Sequence, residues 1–141
     1  MRTQVAAVLL AVLGPAVAQD GRWQMIGGTA SGYYEIDRQS VVDRGGDRFA
    51  TLRCSFAEST PVTKGSSASY QSDVTRYKVD CAARTMVGLS AVLYAGPFGT
   101  GSVVKTFTFK SPDPELVSPG SIAERLLESI CSAPVTDGPG K

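Results

Sequence analysis

The side chains best suited to chemistry in this sequence are three cysteines, Cys54, Cys81 and Cys131, and the chain contains no histidine. Without histidine, a thiolate nucleophile lacks its usual general base and a metal site lacks its commonest nitrogen ligand. The cysteines form no Cys-x-x-Cys pair, and three cysteines are fewer than a structural zinc site normally uses. We therefore predict a non-enzymatic protein with no catalytic residues, no cofactor-binding residues and no metal ligands.

Three cysteines in an exported chain favour one disulfide and one thiol that is left over. A Cys81–Cys131 bridge would join a strand to the end of a helix, and chain entropy assigns it about 4 kcal/mol. A Cys54–Cys81 bridge would close a hairpin and would be worth only about half a kcal/mol less. Chain entropy does not choose between these pairings, so the spacing leaves both open.

Residues 1–18 have the pattern of a secretory signal peptide. Arg2 supplies a positive charge, Val5–Leu13 is an apolar run, and small residues follow it up to Ala18, after which we predict cleavage. The run is shorter than the ~20 apolar residues that cross a membrane. No cysteine for lipid attachment lies near the cleavage site. We expect a periplasmic or secreted protein without a membrane anchor, in a compartment where disulfides form.

The charges of the predicted mature chain are balanced. The sequence has 14 Lys and Arg against 13 Asp and Glu, and Arg2 is lost with the leader. Charges of both signs are mixed throughout residues 35–48. Such a surface has no broad field that would steer it onto nucleic acid or anionic lipid. We therefore predict no nucleic-acid partner.

Alternation of apolar and polar side chains predicts strands that would position these cysteines. In residues 48–57, Leu52 and Cys54 fall on the apolar face, and in residues 73–81 Cys81 does the same. Residues 85–94 are apolar on both faces, which indicates a central strand that is covered on both sides. The predicted strands are residues 21–28, 31–36, 48–57, 73–81, 84–96 and 102–110. We expect an α+β fold with a single antiparallel sheet of about six strands.

One C-terminal helix is predicted over residues 121–130. Ser121 and Glu124 have the spacing of a capping box, in which each side chain satisfies the other's free amide. Apolar residues recur on one side of this segment, which should therefore pack on a face of the sheet. We expect Cys131 to end the helix, residues 19–131 to form one domain, and residues 132–141 to be a flexible tail.

Three further features have simple structural interpretations. The glycines of Gly96–Gly101 resemble a phosphate cradle, but the segment runs from strand to strand, which favours a hairpin turn. Glu124 and Glu128 fall opposite the apolar stripe of the helix, which favours a solvated face over a catalytic pair. Tyr33 and Tyr34 are adjacent in a predicted strand, so their side chains point to opposite faces and one can be exposed.

The order of several motifs resembles the surface-adhesin E-like proteins of Gram-negative bacteria. These motifs are Trp23 with IGG and YYEID, then YKVDC before the long apolar strand, YAGPFGTG, and PGSIAERLLESIC. The resemblance implies an antiparallel sheet with a C-terminal helix, and a disulfide between Cys81 and Cys131. It leaves Cys54 as a free thiol, which we interpret as a small buried residue. It also implies adhesion, that is, binding to host matrix and plasma proteins.

These observations define the functional hypotheses. The leading one is an exported, non-catalytic binding module for an extracellular-matrix or envelope protein. The alternative is a soluble periplasmic carrier of a small ligand, or an enzyme of unknown substrate, which would need a deep pocket holding a carboxylate with a raised pKa. A homodimer is a third hypothesis, because one helix can cover only one face of the sheet.

Overall fold

The computed structural model describes residues 21–136, and the strands within this range form one antiparallel sheet. The strands are β1 Trp23–Thr29, β2 Gly32–Asp37, β3 Val42–Arg44, β4 Asp47–Pro61, β5 Ser69–Asp80, β6 Thr85–Tyr94, β7 Val103–Thr108 and β8 Glu115–Leu116, and the helix is α1 Ile122–Ser132. Six strands follow one another in the order β1-β2-β4-β5-β6-β7, while β3 pairs with β4 and β8 with β6. The predicted α+β fold, a largely antiparallel sheet with one C-terminal helix, is confirmed.

The central hairpin of β4 and β5 is longer than the sequence pattern predicted. We expected a loop across residues 58–72, but Thr60 pairs with Tyr70 and Pro61 with Ser69. The pairing register shifts between Ser55 and Thr60. Because a bulge places an extra residue on one strand, it interrupts the alternation of side chains from which strands are recognised. Two short strands, β3 and β8, were also missed.

The helix covers one face of the sheet and buries Leu126, Leu127 and Ile130 against it. Residues Ala50 and Leu52 of β4 belong to the same core cluster. The remaining members of the cluster are Ile36, Val41, Val79, Met86 and Val117. We call this side of the sheet the helix face and the other side the open face. Alternation along β4 places Arg53 and Ser55 on the open face.

The capping of α1 differs from the predicted reciprocal box. Ser121 Oγ accepts a hydrogen bond from the Glu124 amide at 3.2 Å, as expected. The Glu124 carboxylate, however, accepts from the amide of Gly120 at 2.6 Å. Side chains therefore still satisfy two backbone amides at the start of the helix, but the second amide is that of Gly120 rather than that of Ser121.

The end of the helix is more ordered than the prediction of a flexible tail from residue 132 allowed. The helix continues through Ser132, and Arg48 donates to the carbonyls of Ile130 and Ala133 at 2.7 and 2.8 Å. Thr136 then donates its amide to Val41 O at 3.0 Å. The helix therefore extends one residue beyond the predicted end of the domain, and the guanidinium satisfies carbonyls that would otherwise end the helix unpaired. Residues 137–141 lie outside the described residues, as do the predicted leader 1–18 and its cleavage site at Ala18.

A disulfide joins Cys81, just beyond the end of β5, to Cys131 in the last turn of α1. The pairing that the resemblance implied is confirmed, and Cys54 is left with a free thiol. The bridge connects residues 50 positions apart, and a loop of that length predicts a stabilisation of about 4 kcal/mol. The bridge thus fixes the last turn of the helix covalently to the sheet, and both cysteines pack against the core cluster.

Candidate functional site

The open face carries a group of large side chains that reach solvent. We call Trp23, Met25, Tyr33, Arg53 and Phe98 the aromatic surface. Met25, Tyr33 and Phe98 are 50%, 51% and 42% exposed, whereas Trp23 and Arg53 are partly buried. Exposed apolar side chains that are clustered rather than scattered mark surfaces at which proteins interact.

The register of the first three strands brings this surface together. Glu35 of β2 lies between Met25 of β1 and Arg53 of β4, since it pairs with both. Tyr33 pairs with Ser55 in the same register. Because side chains alternate along a strand, Tyr33 points to the open face and Tyr34 to the helix face. The sequence did not decide which of these two tyrosines is exposed to solvent; in the structure it is Tyr33.

Phe98 reaches the surface because the segment between β6 and β7 folds back over the sheet. The amide of Phe98 donates to Ser55 Oγ at 3.0 Å, and that of Gly99 donates to Ser72 Oγ at 2.9 Å. Ser72 in turn donates to Gly96 O at 2.6 Å, and both serines are almost fully buried. These amides already have partners within the fold, so the glycine-rich turn does not act as a phosphate cradle.

Arg53 lies at the centre of the surface and is fixed on several sides. Its Nε donates to Glu35 Oε2 at 2.7 Å and its Nη1 to Phe98 O at 2.9 Å. The guanidinium carbon lies 4.1 Å from the centre of the Trp23 ring and 5.6 Å from that of Phe98. Such distances allow cation–π attraction to both rings. The Tyr33 ring stacks on Phe98 with its centroid 6.4 Å away, so the aromatic surface is held in one arrangement before any partner binds.

The residue types of this surface are those that dominate binding energy at protein interfaces. Tryptophan, tyrosine, arginine and methionine are enriched at interface cores, and rigid anchors lose little conformational entropy on binding. The sequence left open that Tyr33 or Tyr34 is exposed, but it gave no indication of Arg53 or Phe98. No local pattern could have identified these two, because residues 23, 53 and 98 meet only through strand pairing and the folded-back turn.

Cys54 lies on the helix face, but not among the buried apolar side chains that the sequence led us to expect. It is half-buried and pairs across the strands with Tyr34 and Asp73. Burial, followed by the negative charge of Asp73, raises the pKa of its thiol from 9.0 to about 11. The thiol is therefore protonated at neutral pH and is a poor nucleophile.

The two helix carboxylates that could have formed a catalytic pair have structural partners instead. Arg84 donates to Glu124 at 2.8 Å and lies 4.0 Å from Glu128. Among residues 21–136, no group of three or more Cys, Asp or Glu side chains is placed to hold a metal ion. No helix within this range is long and apolar enough to cross a membrane.

Comparison with known proteins places the fold in context. The family described as Surface-adhesin protein E matches residues 23–132. Protein E of non-typeable Haemophilus influenzae aligns with a TM-score of 0.61 at 13% identity, covering 85% of this chain and 82% of that chain. A second crystal form of Haemophilus influenzae protein E gives a TM-score of 0.59 at 17% identity, covering 89% and 97%.

At these identities the solved structures show the fold alone. The search of curated protein sequences found no significant match. The family match, however, spans most of the chain, from Trp23 at the start of β1 to Ser132 at the end of α1. The chain therefore belongs to the surface-adhesin protein E family.

Proposed function

We propose that this protein is an exported, non-catalytic binding module that recognises another protein through its aromatic surface. The observation that carries the proposal is the fixed group of Trp23, Tyr33, Arg53 and Phe98 on the open face. Membership in an adhesin family supports a surface or exported role. The partner we propose is an extracellular-matrix or envelope protein, met after cleavage at Ala18 in the periplasm or outside the cell.

The composition and arrangement of the surface support a protein partner over nucleic acid or lipid. Its cation Arg53 is paired with Glu35 at 2.7 Å, and Arg22, which lies 5.9 Å from the Trp23 ring, is paired with Asp37 at 2.7 Å, so the positive charges at this surface are already matched by carboxylates. What it offers is exposed ring and thioether area around a fixed centre, which suits burial against another protein. We propose no cofactor, no nucleic-acid partner and no membrane anchor.

A capture experiment with one variant and one control tests the proposal. The oxidised mature protein is immobilised and exposed to envelope extracts and, separately, to host matrix proteins. Tyr33→Ala removes an anchor that is 51% exposed, and Phe109→Ala removes a ring that is 45% exposed elsewhere on the protein. If Tyr33 is an anchor, Tyr33→Ala should weaken the binding free energy by about 2 kcal/mol, or roughly thirtyfold in Kd. Phe109→Ala should leave binding unchanged.

Retention that Tyr33→Ala leaves unchanged, or that Phe109→Ala weakens equally, contradicts the role of the aromatic surface. Retention of an envelope component with none from the host matrix counts against adhesion. A second copy of the chain is the competing occupant of this surface. Light scattering separates the two cases, because a dimer that Tyr33→Ala converts to a monomer would assign the surface to self-association.

A small-ligand carrier is a second candidate function, and a specific observation favours it. A cleft of about 550 Å³ lies beside α1 on the helix face, which is within the usual range for small-molecule sites. Asp73, which accepts a hydrogen bond from Thr75 of the lining, has a pKa raised by burial. If the protein binds a small ligand and Tyr33→Ala does not change that affinity, the small-ligand function is distinct from protein binding through the aromatic surface.

A further inference from the structure

The cleft on the helix face has an apolar floor and an exposed apolar rim. Buried Leu52, Met86 and Leu126 contribute to its lining. At its edge Phe109 is 45% exposed and Leu116 is 75% exposed. Apolar side chains of this size, left in water around a concave site, favour an occupant that has an apolar body.

The charged side chains that line the cleft have one sign. Among the described residues that line it there are two carboxylates, Asp113 and Glu115, and neither lysine nor arginine. A third carboxylate, Asp73, precedes Thr75 by two residues on the same face of β5 and accepts a hydrogen bond from the Thr75 hydroxyl at 3.1 Å. Within residues 21–136, none of these three carboxylates forms an ion pair with a basic side chain.

The Tyr77 hydroxyl lies in this negative surrounding. Its pKa is raised, first by burial and then by the negative charge of Asp73 and, more weakly, of Glu115. The negative charge that contributes to this shift favours a cation near the hydroxyl, whereas the burial disfavours a charge of either sign. Tyr34, Tyr77 and Phe109 all line the cleft, and aromatic faces add to the attraction of an organic cation.

We propose that this cleft binds a small organic ammonium ion that carries an apolar body. The apolar part lies on the Leu52 and Met86 floor, and the ammonium group lies beside the Tyr77 ring and the Glu115 carboxylate. An anion of the same shape is repelled by the carboxylates, and a neutral analogue gains only the apolar contacts. The site is the cleft of the small-ligand function proposed above, and the inference rests on that function. It lies on the opposite face of the sheet from the aromatic surface, so this site and the protein-binding surface can each fail alone.

The test uses hexyltrimethylammonium as the probe, with hexanoate and hexanol as its anionic and neutral counterparts. Each is titrated into the oxidised mature protein, and binding is followed by NMR shifts of the Met86 methyl group and by calorimetry. For a probe of about ten heavy atoms we expect a Kd on the order of 1 mM. Hexanol should bind about tenfold more weakly, and hexanoate should show no saturable binding.

Two charge-removing variants and a matched control locate the cation. Glu115 is exposed, so the Glu115→Gln variant should fold normally. It should weaken binding of the cationic probe about threefold and leave the affinity for hexanol unchanged. Asp73→Asn should act in the same direction. Glu58→Gln, which removes an exposed carboxylate from β4 outside the cleft, should leave all affinities unchanged. Equal binding of hexanoate, cation binding that is unchanged in Glu115→Gln, or no saturable cation binding would overturn the proposal, whatever the outcome of the protein-capture experiment.

Discussion

Replacement of Arg53 by methionine should destabilise the protein more than any other loss of a charged side chain from the open face. Arg53 and Glu35 are joined at 2.7 Å, and their side chains are only 14% and 9% exposed. Methionine fills much of the arginine's volume but leaves the Glu35 carboxylate buried without its cation. The same change removes the hydrogen bond to Phe98 O, which helps to hold the folded-back turn.

The expected cost follows from these contacts. Loss of one partner of a buried ion pair typically costs 3–5 kcal/mol, so we expect about 4 kcal/mol for Arg53→Met. Glu35→Met should cost less, about 2 kcal/mol, because the guanidinium keeps Phe98 O and the Trp23 ring as partners. The double variant leaves no buried charge unpaired, and we expect about 3 kcal/mol, which is less than Arg53→Met alone.

Urea unfolding measures these free energies in the oxidised protein. Far-UV circular dichroism follows the whole sheet, while Trp23, the only tryptophan of the sequence, reports fluorescence from the site itself. Arg76→Met is the control, because Arg76 also lies on the open face but contacts the Phe49 ring at 5.5 Å without an ion pair in the described chain. It should cost less than about 1 kcal/mol. Costs of Arg53→Met and Glu35→Met that simply add in the double variant would refute the reasoning.

The remaining predictions concern the disulfide, the free thiol and the turn. Reduction of Cys81–Cys131 in a Cys54→Ser background should lower the free energy of unfolding by about 4 kcal/mol, and an unchanged urea midpoint would contradict this. Alkylation of Cys54 by iodoacetamide should be slow at neutral pH and rise with a midpoint near pH 11 rather than 9.0, whereas a midpoint at the lower value would mean that burial does not control the thiol. Ser72→Ala should lower the free energy of unfolding by about 2 kcal/mol, because it leaves the partly buried Gly96 carbonyl and Gly99 amide without their partner. Ser90→Ala on the same face is the control. Equal costs for the two variants would show that the turn contacts do not contribute to stability.

Much of the fold could be predicted because it depends on local pattern. Ser121 was identified as a helix cap from its spacing to Glu124, and the stripe that contains Leu126 and Ile130 identified the buried side of α1. Alternation in residues 48–57 and 73–81 located the two central strands. Such signals lie within one or two turns of chain, where backbone geometry decides which side chains share a face.

The prediction failed where a partner distant in sequence decides the outcome. Arg48 extends the order of the C-terminal segment by binding the carbonyls of Ile130 and Ala133, and no pattern in residues 132–136 announces this. The bulge between Ser55 and Thr60 likewise hid the end of the hairpin. In each case the interacting groups can be identified in the sequence, but their proximity in the folded protein cannot.

The sequence by itself determined the elements of this protein: alternating strands, one capped helix, the absence of histidine, and an odd number of cysteines. Local sterics and side-chain periodicity are sufficient for these, since they act between residues that are close along the chain. Only the tertiary structure decided that Trp23, Arg53 and Phe98 meet on one face and that Tyr77 and Glu115 line one cleft on the other. Strand register places Trp23, Arg53 and Tyr77, because a shift of one residue would turn each of these side chains to the opposite side of the sheet, and the folded-back turn places Phe98.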